Sequence, residues 1–345
     1  MAIQTATAGS AHPGPPRYRR SDYDVTNTVQ VSSVSATRQA VEHLYVNQWP
    51  EASFQPIDAA FEFIEHLFAG QIPGYLGIDT VYHDRQHTLD NVLAMARLLV
   101  AWEKSRPLEW RLGADRAAMG LITSLFHDAG YVRETGEPFK NGAELTRSHV
   151  SRSARILGKF LPTVGMAHWV DVATQVVHYT GYEVPLERIH TPDPRDRKIG
   201  HLLGTADLLA QFSDRCYLEK CRDRLYPEFV LAGMAHGRSP DGRVVVHYAS
   251  GLDLLRRTPM FVSATRRERL EGSFEGSYHL MEVLYAGRNP YIEAIDGMML
   301  FLQQVLRTGN WPLLRRQPPV FTRDPNPMPE VRSLMVRKLK DVWNA

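Results

Sequence analysis

Residues 116–130 read RAAMGLITSLFHDAG, an apolar run that ends on His127 and Asp128 and then turns at Gly130. The run has the composition of a buried helix, so two adjacent polar side chains are carried to the edge of a core. Such a pair is costly to bury unless something satisfies it. One solution is a His–Asp hydrogen bond within the core. The other is a divalent cation, because imidazole nitrogen and carboxylate oxygen suit zinc, manganese, iron or magnesium to differing degrees.

Two further stretches bear on that choice. Upstream, residues 82–90 read YHDRQHTLD, which sets His83 and His87 four apart at a helix start, so both project from one face. Downstream, residues 204–209 read GTADLL, and Asp207 shares a helical face with Leu203 and Ala210, which turns its carboxylate inward. Taken singly, these are a capping or surface pair of histidines and a paired core acid. Together, His87, His127, Asp128 and Asp207 make a set of two His and two Asp on three helices.

The ordered series H-x-x-x-H, H-D, A-D resembles the HD superfamily of metal-dependent phosphohydrolases over about residues 57–225. The nearest likeness is to the cyclic-nucleotide phosphodiesterase branch, whose first motif runs H-N-x-x-H-x-x-D; here Asp84 stands in place of Asn. The resemblance implies an all-α HD-domain helical bundle with a helical C-terminal extension. It implies that His87, His127, Asp128 and Asp207 bind a first divalent ion (Zn, Mn, Mg or Fe), that Asp128 bridges to a second, and that His83 is the general acid. A histidine that titrates near neutrality suits that role. In some branches, histidines in the following interval bind the second metal. His149 and His178 fall there, and the alternatives are a core histidine and a helix-terminus cation. Arg85, between the motif histidines, is a candidate substrate-binding residue for a phosphate, or simply a solvated side chain.

The implied activity is hydrolysis of a phosphodiester such as a 3′,5′-cyclic nucleotide. The alternatives are a nucleotide phosphomonoesterase and a metal-bound, non-catalytic nucleotide-sensing module. This sequence departs from the family in three places. No further histidine follows His127-Asp128 closely, since the chain continues Ala129-Gly130-Tyr131. The purine-clamping glutamine has only Gln303 and Gln304 as late candidates. Tyr182-Glu183-Val184-Pro185 is not the G-Y-P motif of cyclic-di-GMP enzymes.

Over its 345 residues the chain carries a net charge of +2, with 33 Arg and 7 Lys against 38 acidic residues. That balance gives no footprint for a nucleic-acid polymer, whereas the arginine bias permits a small phosphorylated partner. No apolar run reaches the roughly 18 residues of a membrane span, so no membrane partner is expected. Cys216 and Cys221, five apart, fit neither a zinc pair nor a disulfide framework, and a cytoplasmic protein is expected. The composition of residues 1–35 reads as a disordered leader, followed by the phosphohydrolase domain over 36–236 and a helical part over 237–316 packed on it. A proline-rich arm with a short terminal helix covers 317–345. Val244–Val246 is the one β-branched run, too isolated to build a sheet.

Overall fold

The computed structural model describes residues 19–344, and it is helical almost throughout. In chain order the helices are α1 (Val34–Gln48), α2 (Gln55–Ala69), α3 (Arg85–Ser105), α4 (Gly113–Phe126), α5 (His149–Phe160), α6 (Val170–Val176) and α7 (Pro194–Ser213). They continue with α8 (Tyr217–Lys220), α9 (Tyr226–Leu231), α10 (Gly251–Thr265), α11 (Met281–Leu284), α12 (Pro290–Thr308) and α13 (Met328–Asn344). The all-α expectation holds. The one addition is a small antiparallel hairpin, β1 (His236–Arg238) with β2 (Val244–Val246), in register His236↔Val246. Val244–Val246 therefore does find a partner, because the turn through Gly242, at φ +81°, folds it back onto residues that carry no strand signal of their own.

Helix α3 is the axis of the molecule. It packs against α1, α4 and α7, and it is buried on nearly every face, as expected of a helix at the centre of a bundle. Asp84 starts it: the Asp84 Oδ1 atom accepts from the backbone N–H of Gln86 at 3.0 Å and of His87 at 3.3 Å. The arm before α13 supplies the remaining oxygen, Oδ2, with the N–H of Phe321 at 3.2 Å, while the Phe321 carbonyl accepts from the N–H of Arg85. Aspartate in place of the motif's asparagine is thus a helix cap with both oxygens in use.

Helices α4 and α7 are tied at their starts by Arg116, whose guanidinium bonds Asp193 at 2.5 Å and Asp196 at 2.6 Å. Because both helices are held at one end and packed along α3, the far end of α4 and the middle of α7 bring His127 and Asp207 to the same place.

The structure departs from the sequence reading in two regions. Within the expected leader, residues 19–33 are packed rather than disordered; residues 1–18 lie outside the described residues. Asp24 is fully buried and accepts from the backbone N–H groups of Thr28 and Val29 and from Arg97 at 2.6 Å. Burial would raise its pKa, but Arg97 and these hydrogen bonds bring it down to about 2. Within the helical part expected over 237–316, α10 runs through Arg256, Arg257 and Pro259, which interrupt its apolar pattern. The terminal helix is long, at 17 residues, and packs on α9 and β1.

Candidate metal centre

Three helices bring four side chains to one point. His87 comes from the first turn of α3, His127 from the C-cap of α4 and Asp128 from the next residue, while Asp207 comes from the middle of α7. His87 Nε2 lies 3.2 Å from His127 Nε2, 3.4 Å from Asp128 Oδ2 and 3.1 Å from Asp207 Oδ1. His127 Nε2 lies 3.2 Å from Asp128 Oδ2 and 3.7 Å from Asp207 Oδ1. Donor atoms about 2.0–2.1 Å from one tetrahedral ion stand roughly 3.3 Å apart, so this spacing is that of a shared coordination shell.

Protonation makes the same case. His127 Nδ1 is 2.8 Å from the Ser124 carbonyl, to which it donates, and that bond leaves Nε2 as the lone-pair atom facing the cluster. Asp128 Oδ2 is buried and has no hydrogen-bond partner. Two ring nitrogens and two carboxylates thus point their electron pairs at one volume. Such an arrangement needs a cation or a trapped proton. In the ion-free chain a proton takes that part. Burial favours the neutral ring, but Asp128 and Asp207 outweigh it and push His127 up to about 9. Burial would likewise raise Asp128, yet His127, His83 and His87 hold its carboxyl well below the usual range. The His87, His127 and Asp128 group could hold a metal ion, and Asp207 Oδ1 lies beside it on the His87 side.

The turn after Asp128 brings a fifth side chain. A Cβ at Gly130 would meet the His149 carbonyl oxygen at 1.9 Å, so only glycine lets the start of α5 pass this close. Gly130 N–H donates to Ser153 Oγ, which itself donates to the His127 carbonyl at 2.7 Å. Docked in this way, α5 sets His149 Nε2 at 3.6 Å from Asp128 Oδ1, the oxygen that the first cluster leaves free. His149 Nδ1 donates to the Thr146 carbonyl at 2.8 Å, so here too a lone pair faces a carboxylate. Burial lowers the pKa of His149, with Asp128 acting in the opposite sense.

His83 stands beside this centre without joining it. Its ring stacks on Tyr131 at 4.6 Å, and Tyr131 stacks in turn on His149 at 4.3 Å. His83 Nδ1 is 2.7 Å from Glu228 Oε2, and Glu228 Oε1 accepts from the backbone N–H of Tyr82 at 2.7 Å. Burial would lower the pKa of His83, but the Glu228 carboxylate and the hydrogen bond to it raise it overall. A charged ring with Nδ1 bound to Glu228 presents its Nε2 proton to whatever lies in the cavity.

The chain matches no protein-family model, no curated protein and no solved structure. The reading of the site therefore rests on its own geometry.

Two of the sequence candidates lie elsewhere. His178 sits in the turn after α6, does not line the cavity, and has no hydrogen bond or ion pair to the cluster among the described residues; its Nδ1 is buried without a partner. Burial lowers its pKa, which also argues against a helix-terminus cation. Arg85 does not line the cavity either. As the first residue of α3 it sits where the C-terminal arm crosses, with its Nε buried and unpaired. Sequence reasoning missed Glu228, Tyr131 and Glu183. Glu183 accepts from the N–H groups of Val150 and Ser151 and so caps α5 at the turn that carries His149. Only Tyr131 left any signal, as the residue closing H-D-A-G-Y.

Proposed function

We propose that this chain is a metal-dependent phosphohydrolase of HD type that cleaves a phosphodiester. His87, His127, Asp128 and Asp207 would hold one divalent ion, and Asp128 with His149 would contribute to a second. The observation that carries the reading is the pairing of two groups on one cavity wall: a lone-pair cluster fit for a cation, and His83 with its Nδ1 2.7 Å from Glu228 Oε2 beside it. A divalent ion bound there would supply Lewis acidity and an acidified water molecule.

The chain's own residues then have distinct tasks. Glu228 fixes the His83 ring and keeps it protonated. As the water oxygen bonds to phosphorus and the bond to the leaving oxygen breaks, His83 Nε2 gives its proton to that oxygen. A proton from the attacking water restores the imidazolium. A dedicated acid helps expel a poor alkoxide leaving group; a diester such as a 3′,5′-cyclic nucleotide is the favoured substrate, and a monoester, which also leaves an alkoxide, is the alternative.

Elemental analysis beside an Asp128→Ala variant is the test. About two ions per chain, lost in the variant, with turnover of a phosphodiester by the manganese-loaded protein, is the expected result. Turnover of a nucleoside monophosphate alone would move the assignment to a phosphomonoesterase. Stoichiometric metal with no phosphate ester cleaved would leave a sensing module. No ion after reloading with manganese or zinc would overturn the reading.

A further inference from the structure

The cavity that exposes the candidate metal centre has a volume of about 560 Å³, and its ions would occupy one end only. That size suits an organic ligand of drug-like dimensions. The rest of its wall forms a largely apolar chamber of Tyr217, Leu225, Phe229, Met234, Leu254 and Phe261. These side chains come from α8, α9, α10 and the turns between them, none of which carries a residue of the ligand cluster.

Several polar groups elsewhere on the wall have partners in the fold. Thr258 Oγ1 donates to the Leu254 carbonyl at 3.0 Å, and Tyr82 OH donates to Gln211 Oε1 at 3.4 Å. The Arg257 guanidinium lies 3.4 Å from Asp253 and 5.4 Å from the Tyr248 ring centre. Among the described residues, Asp128 Oδ2 is the one buried side-chain atom on this cavity's wall that lacks a hydrogen-bond partner. A purine or a sugar placed in the chamber would lose water from its polar edges and find few groups to replace it. An alkyl or aryl group would lose nothing of the kind and would bury apolar surface. At the mouth, Tyr182 and Phe261 are 69% and 47% exposed, so the apolar lining continues to the surface.

We infer that the substrate is amphiphilic: a phosphate ester whose charged end meets the metal centre and whose organic group is an apolar chain or ring seated in this chamber. The inference rests on the phosphohydrolase reading of the polar end, and it proposes an apolar organic group in place of the nucleoside.

Two measurements on the metal-loaded full chain separate the claims. Calorimetric binding of methyl-, butyl- and benzylphosphonate reads the chamber without any turnover. Affinity should rise about fourfold per methylene group buried, so butylphosphonate should exceed methylphosphonate by more than tenfold. Phe229→Asp and Phe261→Asp should flatten that slope; Phe261, half exposed, is the variant chosen to retain the fold, and circular dichroism checks both. In parallel, p-nitrophenyl phosphodiesters carrying a methyl, butyl or benzyl group are assayed beside 3′,5′-cyclic AMP, with kcat/KM expected to rise along the series and to exceed that for the nucleotide. A steep binding slope with no ester hydrolysed would keep the chamber and remove the hydrolase. Hydrolysis with a flat slope, or with cyclic AMP as the best substrate, would overturn the amphiphile and keep the hydrolase.

Discussion

The two ends of the cavity are built by different means. The polar end is made by α3, α4 and α7, helices buried on most faces and fixed by caps and by the Arg116 clamp. The apolar end is made by short helices and wide turns between Tyr217 and Phe261, with the hairpin beside them. The first holds donor atoms at spacings of 3.1–3.7 Å, a tolerance that only rigid elements keep. The second needs only shape and apolar surface, which irregular chain can supply. On the proposed reading, chemistry is placed on the stiff part and selectivity on the adaptable part.

Four measurements probe that division. The largest effect is expected from His83→Ala: activity toward an alkyl phosphodiester should fall about a thousandfold while the ion content stays at the wild-type value and the chain-length slope of phosphonate affinity persists. A lost slope would mean that the two ends are not separable.

Next comes acidity. Because His127 is held protonated up to about 9, an incoming ion must displace its proton. Apparent metal affinity should therefore rise with pH by about tenfold per unit until about pH 9, roughly a hundredfold between pH 6 and 8. Competition titration against a chelator of known affinity reads this directly, and an affinity independent of pH would show that His127 is not a ligand. Phosphonate chain-length slopes, set at the other end, should not follow pH.

A smaller effect belongs to Glu228→Gln. The amide keeps the shape but removes the charge that raises the pKa of His83, so the basic limb of the rate profile should move to lower pH, with about a tenfold loss of rate at pH 8. An unmoved limb would reduce Glu228 to a packing role. The smallest is Arg85→Ala, expected to change turnover less than about threefold because the side chain faces neither end of the cavity.

This division also explains what could be read from the sequence. His87, His127, Asp128 and Asp207 were legible because helical periodicity fixes the direction of each side chain within a few residues of its motif. His149 was legible only in part, since its approach to Asp128 depends on the close passage over Gly130, a tertiary contact with no periodic sign. Glu228 was silent. It reaches His83 across 145 residues, and an acid in a short helix beside Pro227 looks like any other. Tyr217, Leu225 and Phe229 were silent for a related reason: an apolar residue lining a cavity and one filling a core have the same pattern until the space between them is seen. The bounds of α10 were hidden by Pro259 and the paired arginines, which its neighbours accommodate. Residues 19–33 looked featureless because Asp24 finds its partner, Arg97, 73 positions away.

The arm that crosses Arg85 bears on how the molecule is made. Phe321 follows Asp84 by 237 positions, and its N–H is the last piece of the cap on α3. At synthesis rates of roughly 5–20 residues per second, between about 12 and 50 seconds separate the appearance of the two. Until Phe321 is made, Asp84 Oδ2 on the helix that carries His87 has Arg224 Nη1, 3.7 Å away, to face it and no backbone N–H. A chain cut short between Asp207 and Phe321 would keep His87, His127, Asp128 and Asp207 and still lack the final tie at the helix that presents the first of them.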